Sequence, residues 1–147
     1  MGRSSKERRS KGPLDYTLEE LDGERWGEPG FNSYVVTTCH AARRKPLRTL
    51  TPEELRLVIG QGIGLPWLVP LALSLLVEEP LRCVSLYSGD LLASVVRVPA
   101  PYWAEHPAEK AQLLNDILPR ALGDADMADL PKEAAAAVQG WIEMADK

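Results

Sequence analysis

The chain has 147 residues, 45% of them hydrophobic and 26% charged, with a formal net charge of −4. These values exclude a wholly disordered chain and supply core for one domain rather than two. Two cysteines, Cys39 and Cys83, are too few for a disulfide-dense secreted scaffold.

The charge is unevenly spread. Arg3, Lys6, Arg8, Arg9 and Lys11 oppose only Glu7 within residues 1–13, so the rest of the chain carries −8. An acidic body repels nucleic-acid phosphates and attracts basic partners, so no direct nucleic-acid binding is expected of it. Residues 1–13 read as a disordered basic tail, with a basic arm for nucleic acid or membrane as the rival. Residues 14–147 read as a single helical domain. No apolar stretch of a secretory signal follows the basic start, and Lys6 occupies the place where a myristoylation signal needs Ser or Thr.

In chain order, Thr17-Leu18-Glu19-Glu20 has capping-box spacing and opens a short helix. Gly23 and the Gly27-Glu28-Pro29-Gly30 run break it, with Trp26 expected to tuck against the body. Asn32-Ser33 caps a second helix ending at Arg43-Arg44-Lys45, where cations suit the helix dipole, before Pro46. Tyr34-Val35-Val36-Thr37-Thr38 is β-prone, so a strand is the rival there. Thr51-Pro52-Glu53-Glu54 is the strongest start signal, and Leu55, Val58 and Ile59 then share one face. Gly60, Gly62 and Gly64 end that helix.

From Leu57 to Val77 run 21 residues without a charge. Three glycines, two prolines and Gln61 interrupt them, which favours a buried central helix over residues 65–77 against a membrane span. Asp90 opens the next helix, through Leu91, Leu92, Val95 and Val96, and Pro99 and Pro101 stop it. His106-Pro107 begins another, with Leu113, Leu114 and Ile117 on one face and Pro119 beyond its end. Residues 119–130 read as an acidic linker. Pro131 starts a last helix whose inner face holds Ala134, Val138, Trp141, Ile142 and Ala145. The expectation is an all-α domain of about seven helices around a central apolar one.

The search for chemistry finds no catalytic set. His40 and His106 lie in no metal motif, and adjacent Cys39 and His40 point about 100° apart on a helix. Gly60-Gln61-Gly62-Ile63-Gly64 lacks the strand and the lysine of a phosphate loop and reads as a tight turn. Asp124, Asp126 and Asp129 have loose calcium-loop spacing without its glycine or distal glutamate. The protein is therefore read as no enzyme, with no cofactor and no metal. The cysteines are read as reduced thiols, with one structural disulfide as the rival.

One stretch carries a resemblance. Leu55-Arg56-Leu57-Val58-Ile59-Gly60-Gln61-Gly62-Ile63-Gly64-Leu65, then Leu68-Val69-Pro70-Leu71-Ala72-Leu73, then Tyr87-x-Gly89-Asp90-Leu91-Leu92, resembles the immunity proteins of bacterial contact-dependent growth inhibition systems. Trp26-Gly27, Ser33-Tyr34-Val35-Val36, Lys45-Pro46-Leu47 and Trp103 are similar too, so the resemblance spans roughly residues 18–118. It implies a cytoplasmic protein that binds and blocks a toxin domain delivered by a neighbouring cell. Many such toxins are nucleases with basic surfaces. The rival is a helical adaptor or regulator with no toxin partner.

Arg56, Gln61, Tyr87 and Asp90 are polar residues among apolar ones. They read as an internal network, with Arg56 paired to Asp90, against the rival that they touch the toxin. The toxin-binding candidates come instead from the acidic excess: Glu78, Glu79, Asp116, Asp124, Asp126 and Asp129.

Overall fold

The computed structural model describes residues 12–27, 30 and 33–145. Among these no strand occurs, and the class is all-α. The expected basic tail, apart from Gly12 and Pro13, lies outside the described residues, as does Asn32. Residue contacts divide the chain into two units, one ending at Leu50 and one beginning at Thr51.

The first unit holds a 3₁₀ turn at Pro13–Asp15, helix α1 (Leu18–Asp22), helix α2 (Tyr34–Ala42) and a 3₁₀ turn at Leu47–Thr49. α1 starts on the expected capping box: Thr17 Oγ1 accepts from the Glu20 N–H at 3.1 Å, and Glu20 returns the bond at 2.9 Å. In α2 the helix prevails over the β-prone run. Ser33 Oγ accepts from the Val36 N–H at 3.0 Å, and Cys39 and Ala42 are buried three residues apart. The helix stops at Ala42, just before its basic run, and Arg43, its cap, is 2% exposed.

The second unit begins with α3 (Pro52–Gly60), capped by Thr51 and closed by Glu54 as its sequence requires. Leu55, Val58 and Ile59 are buried on it, with Leu57 beside them. The glycine turn that follows is a conformational necessity: Gly62 and Gly64 have φ of +73° and +62°, which residues with a Cβ rarely adopt. The long apolar helix α4 (Leu65–Glu78) then buries Leu68, Val69, Ala72, Leu73 and Leu76. Each of those leucines contributes about 1.5–3 kcal/mol by leaving water. No helix among the described residues is long and apolar enough to cross a membrane.

Helix α5 (Asp90–Val96) shares the centre with α4. Only Ser94 of its seven residues is not buried, and it packs on α3, on α4 and on the last helix. Two helical segments correct the sequence expectation. α5 ends at Val96, before Pro99 and Pro101 as expected, but Pro101 also sits in the first turn of a further helix, α6 (Ala100–Glu105), where the missing N–H costs nothing. Pro119 does not end α7 (Pro107–Gln112) either. The chain runs through a π turn, Leu113–Ile117, into α8 (Leu118–Leu122). The Leu118 N–H reaches five residues back to the Leu113 carbonyl, a wider turn that accommodates the proline ring next in sequence. The supposed linker is therefore helical at its start, and it continues as a 3₁₀ helix at Ala125–Asp129.

Helix α9 (Lys132–Ala145) closes the unit with Ala134, Val138 and Trp141 buried. The Trp103 and Trp141 rings meet edge to face at 5.0 Å. Their indole N–H groups donate to the carbonyls of Val98 at 3.0 Å and Val96 at 2.9 Å, so both rings enter the core with no polar group stranded.

Candidate functional site

Two polar clusters and a set of exposed acids are the candidates for function. The first cluster surrounds Asp90, which is 2% exposed at the start of α5. Its Oδ1 accepts from the Val84 N–H at 2.9 Å, and its Oδ2 from the N–H groups of Ser85 and Leu86 at 3.0 and 2.7 Å. One buried carboxylate thus gathers three successive backbone donors and fixes the loop between α4 and α5. Gly89, at φ +90°, closes the loop: its N–H donates to the Arg82 carbonyl at 3.3 Å. A Cβ there would lie 2.7 Å from a Leu130 methyl and 3.2 Å from one of Leu81, so glycine is required by conformation and by space.

Of the four polar residues expected to form a network, the structure brings Arg56 and Asp90 together only at long range. Arg56 Nε lies 3.9 Å from Asp90 Oδ2 and donates instead to Glu53 Oε1 at 2.8 Å. The Arg56 hydrogen bond, with a lesser one from Ser85, holds the Glu53 carboxyl below its ordinary range against the opposing effect of burial. Tyr87 contributes its backbone carbonyl, which accepts from the Asp90 N–H at 3.1 Å. Gln61 stands exposed at the end of α3, outside this cluster. Glu53 was passed over in the sequence. Its spacing of three from Arg56 on one helix was the available signal.

The second cluster belongs to the first unit. Arg43 grips Asp22 in a two-pronged pair at 2.7 and 3.0 Å, and its Nη2 also donates to the Glu24 carbonyl at 2.6 Å. Its guanidinium lies 4.5 Å from the centre of the Trp26 ring. Trp26 therefore does tuck inward, edge to face with His40 at 4.9 Å. Arg44 Nη2 and His40 Nδ1 contact the carbonyls of Trp26 and Gly27. By sequence position Arg43 is a dipole-end cation; in the fold it is the post around which residues 22–27 are wound.

His106 occupies the cap position of α7, but its ring turns back to contact the Tyr102 carbonyl and stacks on the Tyr102 ring at 3.9 Å. Cys39 is buried and Cys83 exposed, and both are free thiols. Burial pushes the Cys39 thiol up, away from thiolate reactivity.

The acidic candidates all lie on the exterior. Glu78, Glu79, Asp116, Asp124, Asp126 and Asp129 are exposed. Arg120 reaches from α8 to the carbonyls of Val77 and Glu78, which fixes α8 beside the C-terminal end of α4. Leu130, next to Asp129, packs against Gly89 and Leu81 at the base of the α4–α5 loop. Asp124 Oδ1 accepts from the Asp126 N–H, a local turn. No group of three or more potential metal ligands is assembled among the described residues.

Comparison with protein families decides what this framework is. A family model described as CDI immunity proteins matches residues 20–113. The chain belongs to that family. The match takes in both polar clusters and the whole α4–α5 loop. The CDI immunity protein continues past it through α8, the 3₁₀ helix and α9. No curated protein and no solved structure matches the chain.

Proposed function

We propose that this CDI immunity protein acts in the cytoplasm, where it binds the toxin domain of its own growth-inhibition system and blocks it by occupying its surface. The observation that carries this reading is the family match over residues 20–113. The protein works by contact and performs no catalysis of its own. Exposed carboxylates at Glu78, Glu79, Asp116, Asp124, Asp126 and Asp129 support a toxin with a basic face, as a nuclease has. The buried polar groups serve a different end. Arg56 and Asp90 hold the scaffold and loop in shape, and specificity resides on the exterior, where a single partner can be matched.

Co-expression tests the reading. Cells carrying the toxin domain of the same growth-inhibition system should survive when the immunity protein is present and die when it is not. The two proteins should also purify together. Survival without the immunity protein, or death with it, would count against the reading.

A further inference from the structure

We propose that the α4–α5 loop, residues 82–88, is the anchor of the toxin interface, with Leu86 entering an apolar cleft edged by lysine or arginine side chains. This rests on the toxin-binding reading above and says where on the molecule binding occurs.

The loop is unusual in what it exposes. Surface loops favour Gly, Pro, Asn, Asp and Ser, yet this one contains Cys83, Val84, Leu86 and Tyr87. Leu86 is 66% exposed and Cys83 is exposed as well, so neither side chain is spent on the core. The loop is also fixed in advance. The three N–H bonds to Asp90 include that of Leu86 itself, and the Gly89–Arg82 bond closes the neck. A loop held in this way loses little further freedom on binding, which is the property of an effective anchor. An isolated exposed leucine is ordinary; one held out by a buried carboxylate, with exposed Cys83 on the same loop, is a surface built to be covered.

The surrounding charge identifies the occupant. Glu78 and Glu79 flank the loop at the end of α4, and Asp129 lies one residue from Leu130 at its base. Arg82, 3.6 Å away, offsets Glu78, so Glu79 and Asp129 carry the exposed negative charge here, on a body in which residues 14–147 carry −8. An apolar centre with an acidic rim fits a partner of the opposite pattern.

The test uses the full chain and a catalytically inactive form of the toxin domain of the same growth-inhibition system. Leu86→Ser should weaken binding by about tenfold or more, the scale of a central anchor. In the wild-type protein, maleimide should label exposed Cys83 and spare buried Cys39, and toxin should slow that labelling by about tenfold as the loop is covered. An affinity of Leu86→Ser within about twofold of the wild type, or an unchanged labelling rate in the complex, overturns the proposal. Failure of the wild-type chain to bind at all would instead overturn the toxin reading on which it stands.

Discussion

Arg56 stands 3.9 Å from Asp90 yet gives its closest hydrogen bond, 2.8 Å, to Glu53. The residue that sequence logic pairs with arginine is thus occupied elsewhere, by three backbone N–H groups of the loop that precedes it. Asp90 is therefore a loop clamp, and Arg56 supplies the positive charge that makes a buried carboxylate tolerable beside Glu53.

This division of labour predicts unequal costs. Asp90→Asn keeps one acceptor oxygen but loses the charge and leaves backbone donors short of a partner. It should destabilise the protein by about 3–5 kcal/mol, and Arg56→Gln by less. Urea unfolding checks this through a fall in the midpoint at constant slope.

At Gly89 two penalties coincide. Gly89→Ala should cost about 1–3 kcal/mol, from a Cβ at positive φ and its clash with Leu130. Adding Leu130→Ala should relieve the clash and leave the backbone strain. A double-mutant cycle should therefore show favourable coupling, and strict additivity would deny the contact.

The Asp22–Arg43 pair gives a pH signature. The Arg43 hydrogen bond holds the Asp22 carboxyl below its ordinary value of 3.8. Its contribution is therefore complete above 3.8 and is lost as the pH falls from there through the lowered folded value. Glu53 behaves likewise below its ordinary value of 4.5, because of Arg56. Asp22→Asn should flatten the acid limb of a stability-versus-pH curve measured by thermal melting. An unaltered acid limb would refute the linkage.

Reversal of the acidic exterior should act on association rather than folding. Asp124→Lys, Asp126→Lys and Asp129→Lys combined should slow toxin association by about tenfold at low salt, with a smaller effect at high salt. Unfolding stability should fall by no more than about 2 kcal/mol, the cost of losing the Asp124 cap on the 3₁₀ helix, since all three side chains are exposed. Stopped-flow mixing at two ionic strengths measures the first effect and urea titration the second.

The legible parts of the fold were those written in local chemistry. Thr17/Glu20 and Thr51/Glu54 announced their helices because capping is settled within four residues. The apolar run of α4 and the positive-φ turn at Gly62 and Gly64 were equally local. Proline was legible only by half: α5 does end before Pro99, but Pro101 also opens α6, and a π turn carries the chain through Pro119. The polar clusters were legible only in part. Arg43 joins Asp22, 21 residues away, and Asp90 bonds backbone groups that carry no side-chain signature. Contacts of that kind emerge only once the chain has folded.

The most direct measurement is calorimetric titration of the purified chain into an inactivated form of the proposed toxin domain of its growth-inhibition system, paired with an activity assay of the intact toxin. The account predicts a saturable complex, and toxin activity that falls in step with its formation. Toxin that stays fully active while the immunity protein is in excess, with no heat of binding, would contradict it.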